Sequence, residues 1–267
     1  MNLHNDHLSL SVTLAAAEMT SLIDLKSGKE ILWQGDPAYW AGRNPILFPI
    51  VGSTFDKKIH LNGKTYTMGN HGFARNSTFE LVSHTSDQIT LKLTDNEVTM
   101  AQYPFHFTLL VHYTLMLNTV EISYEIINTD EIPMPFSFGL HPAFALDDPD
   151  GARLNFSKEE THPQTQARFS SLTMDDAFFK LSPTFILENP NSTAVDLCLP
   201  NRTVRVTYEG YRWLAFWKKP QAKFICIEPW HGHADFKEVS TDFTQREGTI
   251  VLDPHQSFHT SMTISVL

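Results

Sequence analysis

The sequence predicts an all-β protein, a large antiparallel β-sandwich with few short helices. Three observations carry that expectation. Apolar residues alternate with polar ones at a period of two over many short runs. Those runs are rich in β-branched and aromatic residues and are separated by turn residues. Helical periodicity is scarce. Hydrophobic residues make up 42% of the 267-residue chain and charged residues 19%. That is enough to bury a sizeable core.

The runs follow in order. "HLSLSVTL" sets Leu8, Leu10, Val12 and Leu14 on one face. "HLNGKTY" carries Asn62-Gly63, the strongest short signal for a hairpin turn. "FELVSH", "QITLKL", "HFTLLVHYTL" and "TVEISYEII" continue the pattern, with a turn expected around Asn118 in "MLNT". The Pro-dense stretch "EIPMPFSFGLHPAFALDDPDG" reads as a rigid connection inside the domain. "HPQTQARFSSLTMDDAFFKL" has room for one short helical turn. "TVRVTY", "WLAFW", "KFICIE" and "SFHTSMTISVL" complete the strands. There is no internal repeat and no Gly/Ser-rich linker, so residues 1–267 are read as a single domain.

Charge and cysteine content narrow the function. The formal net charge is -10. Nucleic-acid binding needs a basic surface to displace counterions, so it is not expected. No apolar run approaches the ~20 residues of a membrane helix, and the N-terminus lacks the basic start of a signal peptide. A cytoplasmic protein acting on small molecules is expected. Cys198 and Cys226 are the only cysteines. They read as two buried thiols of a reducing compartment.

Of the 13 histidines, four sit in unusual company. His71 precedes Gly72 and stands four residues before Arg75 in "GNHGFARNSTFEL". His141 lies between Gly139 and Pro142 among aromatics, and Pro142 holds it extended. Each also fits a satisfied structural imidazole. His231 and His233 follow Glu228 in "CIEPWHGHAD". A carboxylate ending the apolar run "FICI" beside Trp230 is costly unless paired or used. Burial there raises its pKa toward the range of a general base. His231-x-His233 on an extended chain faces one side, and with Glu228 or Asp235 would suit a transition metal. The motif is short and looks like a turn, so no metal ligand is assigned. Arg43 and Arg75 are candidates to fork onto sugar hydroxyls, a carboxylate or a phosphate. Trp40, Phe73, Phe144, Trp217 and Trp230 accompany the motifs and suit an aromatic-walled sugar site.

Four segments in order carry a family resemblance: "AEMTSLIDLKSGKEILWQGDPAYWAGRNPILFPIVGS", "MGNHGFARNSTFEL", "MPFSFGLHPAF" and "ICIEPWHG". Together the chain resembles the aldose 1-epimerase (galactose mutarotase-like) family from about Ser9 to the end. The resemblance implies the galactose mutarotase-like supersandwich and an isomerase that interconverts α and β anomers of a free aldose, without metal or cofactor. It implies catalytic roles for Glu228 as base, His141 as acid and His71 as a donor that holds charge in place. It implies substrate-binding roles for Arg75, Arg43 and, of the pair in "TMDDAFF", Asp176, with Trp230 and Phe144 as aromatic walls. Some relatives bind hexose 6-phosphates through an Arg pair, which here would be Arg43 and Arg75. The expected partner is therefore a monosaccharide or sugar phosphate, with no nucleic acid and no membrane, and a monomer or homodimer as the assembly. A sugar-binding or sensing protein without turnover is the alternative outside enzymology. The resemblance gives His231, His233 and Asp235 no role.

Overall fold

The structure, a computed structural model, describes residues 1–180, 182–239 and 241–267. Two large antiparallel sheets dominate it. The nine-stranded sheet runs, in spatial order, Arg168–Thr173, Arg153–Thr161, Ala194–Leu199, Arg202–Thr207, Ser257–Val266, Thr119–Asn128, Phe107–Met116, Gln88–Thr94 and Glu80–His84. The six-stranded sheet runs Thr184–Glu188, Trp213–Trp217, Phe224–His231, Phe138–Leu140 and Ile46–Leu47, with Ala143–Ala145 paired to the first half of Phe224–His231. A four-stranded sheet, Asn2–His4 through Lys29–Glu30, is built from the N-terminus.

Alternation explains how the two large sheets meet. In Thr119–Asn128, Val120, Ile122, Tyr124 and Ile126 are buried, and the residues between them are partly exposed. Their buried face packs on the six-stranded sheet: the Tyr124 and Phe138 rings stand 5.0 Å apart, and Phe156 meets Phe216 at 5.8 Å. Register is pinned by short turns. Met116 pairs with Thr119, so Leu117 and Asn118 form a two-residue turn, with the positive φ on Leu117. Asn62 and Gly63 both have positive φ between Leu61 and Lys64, as a mirror-image hairpin turn requires.

The structure departs from the sequence reading in five places. The Pro-dense stretch is not a plain connection; it holds the strands Met134–Phe136, Phe138–Leu140 and Ala143–Ala145. Pro135 is accommodated in a two-stranded ribbon with Ile250–Leu252, where a missing N–H costs least. Within "HPQTQARFSSLTMDDAFFKL", Arg168–Thr173 is an edge strand and only Phe178–Lys180 forms a 3₁₀ turn; Leu181 lies outside the described residues. Leu14 is exposed, because its strand stops at Val12. Asn96 caps an unexpected one-turn helix, Glu97–Met100. Cys198 and Cys226 are both free, but only Cys226 is buried.

Phe216 is fully buried where the two large sheets face each other. Phe216→Ala is expected to lose about 3–5 kcal/mol of unfolding free energy, because the contacts go and a cavity stays. Urea denaturation followed by tryptophan fluorescence measures it.

Candidate active site

The strand Phe224–His231 is covered on both faces along nearly its whole length. Period-two geometry divides its side chains. Ile225 and Ile227 point into the main core between the sheets. Cys226 and Trp230 join smaller apolar clusters on the opposite face, and Glu228 shares that face. Ala215 is the cross-strand partner of Glu228, and its small side chain leaves room beside the carboxylate. On the same outer face, Ile186, Trp217 and Trp230 floor a cavity of about 500 Å³. Loop residues wall it, among them Trp40, Ser53, Asn70, His71 and His141, with Arg75 from the 3₁₀ turn Ala74–Asn76.

His71 is locked by its backbone. Its φ is +63°, and its N–H donates to the Gly52 carbonyl at 2.7 Å. The Gly52 N–H in turn donates to His71 Nδ1 at 2.9 Å. Nδ1 is thus an acceptor, so the neutral ring carries its proton on Nε2. Burial, with a smaller contribution from Arg75, pushes the His71 pKa down to about 4. The ring is therefore a neutral hydrogen-bond donor at pH 7. The turn depends on Gly72, whose φ is +68°; an added Cβ would stand 2.2 Å from the Phe48 carbonyl oxygen.

His141 sits among aromatics, with Trp40 at 4.8 Å, Trp217 at 5.5 Å and His71 at 5.7 Å between ring centroids. Its Nε2 is 3.3 Å from Glu228 Oε2. The contact lies outside good hydrogen-bond angles, and both Glu228 oxygens and His141 Nδ1 are buried without a well-formed partner. Burial raises the Glu228 carboxyl well above the carboxylate range, opposed only weakly by the nearby Trp230 indole. Burial, then the neighbouring His71 and Arg75, drive His141 well below the ordinary imidazole value. Both shifts therefore favour a neutral pair with its one proton on the carboxyl.

Glu228, His141, His71, Arg75 and Trp230 thus line one cavity. Arg43, Asp176 and Phe144 are not among its lining residues. Arg43 stands 3.6 Å from Glu18, whose carboxylate also accepts its backbone N–H. Asp176 pairs with the buried Lys218 and caps the Gln221 N–H at 2.6 Å. Phe144 points into the main core. His231 bonds Thr260 at 3.1 Å and stacks on Tyr211, while Asp235 pairs with Arg246. His231 and His233 therefore do not converge on Glu228 as metal ligands. A different trio, His141, Cys226 and Glu228, has donor atoms within 4.8 Å of one another. A tetrahedral ion would draw such donors to about 3.3–3.8 Å, from bonds of about 2.0–2.3 Å. It would also occupy the atoms that a proton-transfer pair needs. Sequence reading passed over Asn70, although it adjoins His71, and also Ser53, Lys219 and Phe236. For Lys219 and Phe236 no local signal existed.

The sequence model of the family described as aldose 1-epimerase matches residues 1–265. The chain belongs to the aldose 1-epimerase family. Protein LacX (plasmid) of Lactococcus lactis subsp. lactis is 29% identical, over 96% of this chain and 93% of LacX. A galactose mutarotase related enzyme from Lactobacillus acidophilus superposes with a TM-score of 0.92 at 28% identity, over 100% of this chain and 97% of that one. A galactose mutarotase-like protein from Lactobacillus casei gives 0.92 at 24% identity, over 100% and 99%, and so shows the same fold. The galactose mutarotase-like sandwich is thus the fold of this epimerase-family chain. Among the described residues no helix is long and apolar enough to cross a membrane.

The two shifts have a consequence for acidity. Protonating His141 ends the one-proton state of the pair, and its pKa lies well below 6.5, while ionising Glu228 ends it on the alkaline side. For the proton transfer proposed below, the acid limb of a kcat/KM profile is therefore expected below pH 6.5. A limb at or above pH 6.5 would contradict this picture. Stability follows the same sign. His71 resists protonation down to about pH 4. The unfolded chain takes up that proton from about pH 6.5 downward, so folding weakens across that window.

Proposed function

We propose that the protein is an aldose 1-epimerase that interconverts the α and β anomers of a free aldose by acid/base ring opening and closure. The observation that carries this reading is the buried His141–Glu228 contact at 3.3 Å, open to a cavity with aromatic walls. Ring opening needs a proton removed from the anomeric hydroxyl and one delivered to the ring oxygen. Both oxygens lie on the same carbon, so two adjacent side chains serve them. When the anomeric hydroxyl donates to Glu228, it supplies the hydrogen bond that the carboxylate lacks and favours the ionised form. The shared proton then rests on His141. Glu228 takes the hydroxyl proton as base, and His141 gives its own to the ring oxygen as acid. The aldehyde rotates about the adjoining carbon–carbon bond, and closure on the other face returns both protons. His71 offers its Nε2–H to the oxygen that gathers charge. Arg75 and Trp230 orient the ring, with Arg43, Asp176 and Phe144 left outside the proposed contacts by their placement.

A second reading keeps the chemistry and changes the substrate. Arg75 and Lys219 line the cavity, and neither makes an ion pair among the described residues. Their charges suit an aldose carrying a phosphate, such as a hexose 6-phosphate.

Polarimetry or NMR on freshly dissolved α-glucose, α-galactose and their 6-phosphates tests both readings. The wild type is expected to speed anomer exchange on at least one of them. Rates equal to buffer on the whole panel would sink the epimerase reading. Glu228→Gln is expected to lose about 10²–10⁴-fold in kcat, as befits a missing general base.

A further inference from the structure

The segment "HGHAD" after Glu228 takes no part in the proposed proton transfers, yet it is held with unusual care. Gly232, at φ +114°, presses on Ser137, where an added Cβ would stand 2.5 Å from the serine Cβ. Beyond it, Asp235 is nearly buried and pairs with the equally buried Arg246. Its Oδ2 accepts the Phe55 N–H at 2.9 Å, and its own N–H donates to the Ser53 carbonyl at 3.0 Å. Ala234 packs against Gly52, the residue that orients His71. His233 donates from Nδ1 to the Ala234 carbonyl at 2.7 Å, sets its edge against Trp213, and has Nε2 3.4 Å from Glu247.

On this clamped base stands Phe236. Its ring lies nearly parallel to His233, 5.1 Å away at 14°. It lines the cavity and is nevertheless 71% exposed. A large apolar side chain left in water on a rigid support, at the rim of the cavity that holds Glu228 and His141, is a surface awaiting a partner.

We propose that Phe236 is the outer wall of the sugar site, an apolar platform against which the bound aldose lays one face of its ring. His233 and Asp235 are its positioning residues. The matching substrates are pyranoses whose axial C–H bonds cluster on one face. Such a face is apolar, and an aromatic ring buries it without asking for hydrogen bonds. The pair at the bottom of the cavity then handles the anomeric carbon while Phe236 covers the ring from the solvent side. This rests on the epimerase reading above and adds the element that fixes which face of the ring is held.

The test compares Phe236→Ala, Phe236→Trp, His233→Ala and the double variant His233→Ala/Phe236→Ala. Leu117→Ala, equally exposed at a distant hairpin, serves as control. Phe236→Ala is expected to raise KM about three- to tenfold, the scale of one lost aromatic contact, with kcat changed less than about twofold. Phe236→Trp and Leu117→Ala should keep a KM near that of the wild type. His233→Ala should raise KM by less, and the double variant should be no worse than Phe236→Ala alone, since both remove one platform. Calorimetry with galactose and glucose reports the same order in Kd without needing turnover. If the wild type binds a sugar but exchanges no anomers, the epimerase reading falls while the calorimetry still decides the platform. Unchanged KM and Kd in Phe236→Ala would overturn the proposal.

Discussion

Everything in the site depends on one strand being buried on both faces. An ordinary outer strand of a sandwich gives one face to the core and the other to water. Phe224–His231 has no wet face over most of its length. A carboxylate placed in it has nowhere to keep its hydration shell. That constraint disfavours the ionised form of Glu228, and it leaves both Glu228 oxygens short of partners beside His141. A polar ligand with a donor hydroxyl relieves the shortage. In the proposed mechanism, binding and proton transfer draw on the same unmet electrostatic demand.

The supporting parts answer to that demand in turn. Trp40 and Trp217 keep His141 dry and fix the plane of its ring. Gly52 sets the tautomer of His71 from the far side. Gly72 permits the turn that brings His71 in, because no side chain fits against Phe48 there. These are backbone and packing devices. They orient groups without adding charge, which suits a site where a stray fixed charge would move the shared proton.

Much of the fold was legible, because alternation is a local signal. Strands such as Thr119–Asn128 show their buried face at alternate positions, Val120, Ile122, Tyr124 and Ile126. The Pro-rich segment hid its strands because they are three residues each and broken at Ser137 and His141–Pro142, too short to display a period. In the site, Glu228, His141 and His71 stood out because each is a polar group in apolar or glycine-bounded company. Arg43 and Asp176 carried the right chemistry, but partners distant in sequence, Glu18 and Lys218, occupy them. Nothing local foretells such pairing. Phe236 was illegible for the opposite reason: an exposed aromatic in a polar loop is unremarkable until the loop is seen to lean over a cavity.

The two-sided strand also ties stability and chemistry to the same count of residues. Odd-numbered Ile225 and Ile227 hold the sheets together, while even-numbered Glu228 and Trp230 line the cavity and Cys226 packs in an apolar cluster on the same face. Substitutions at even positions bear first on the cavity, and those at odd positions first on the scaffold. Insertion or deletion of one residue bears on both. A shift of one position would send isoleucines to the cavity and the carboxylate into the core. The length of the segment from Phe224 to Trp230 is thus tied to the register of the sheet in a way that the identity of any one side chain is not.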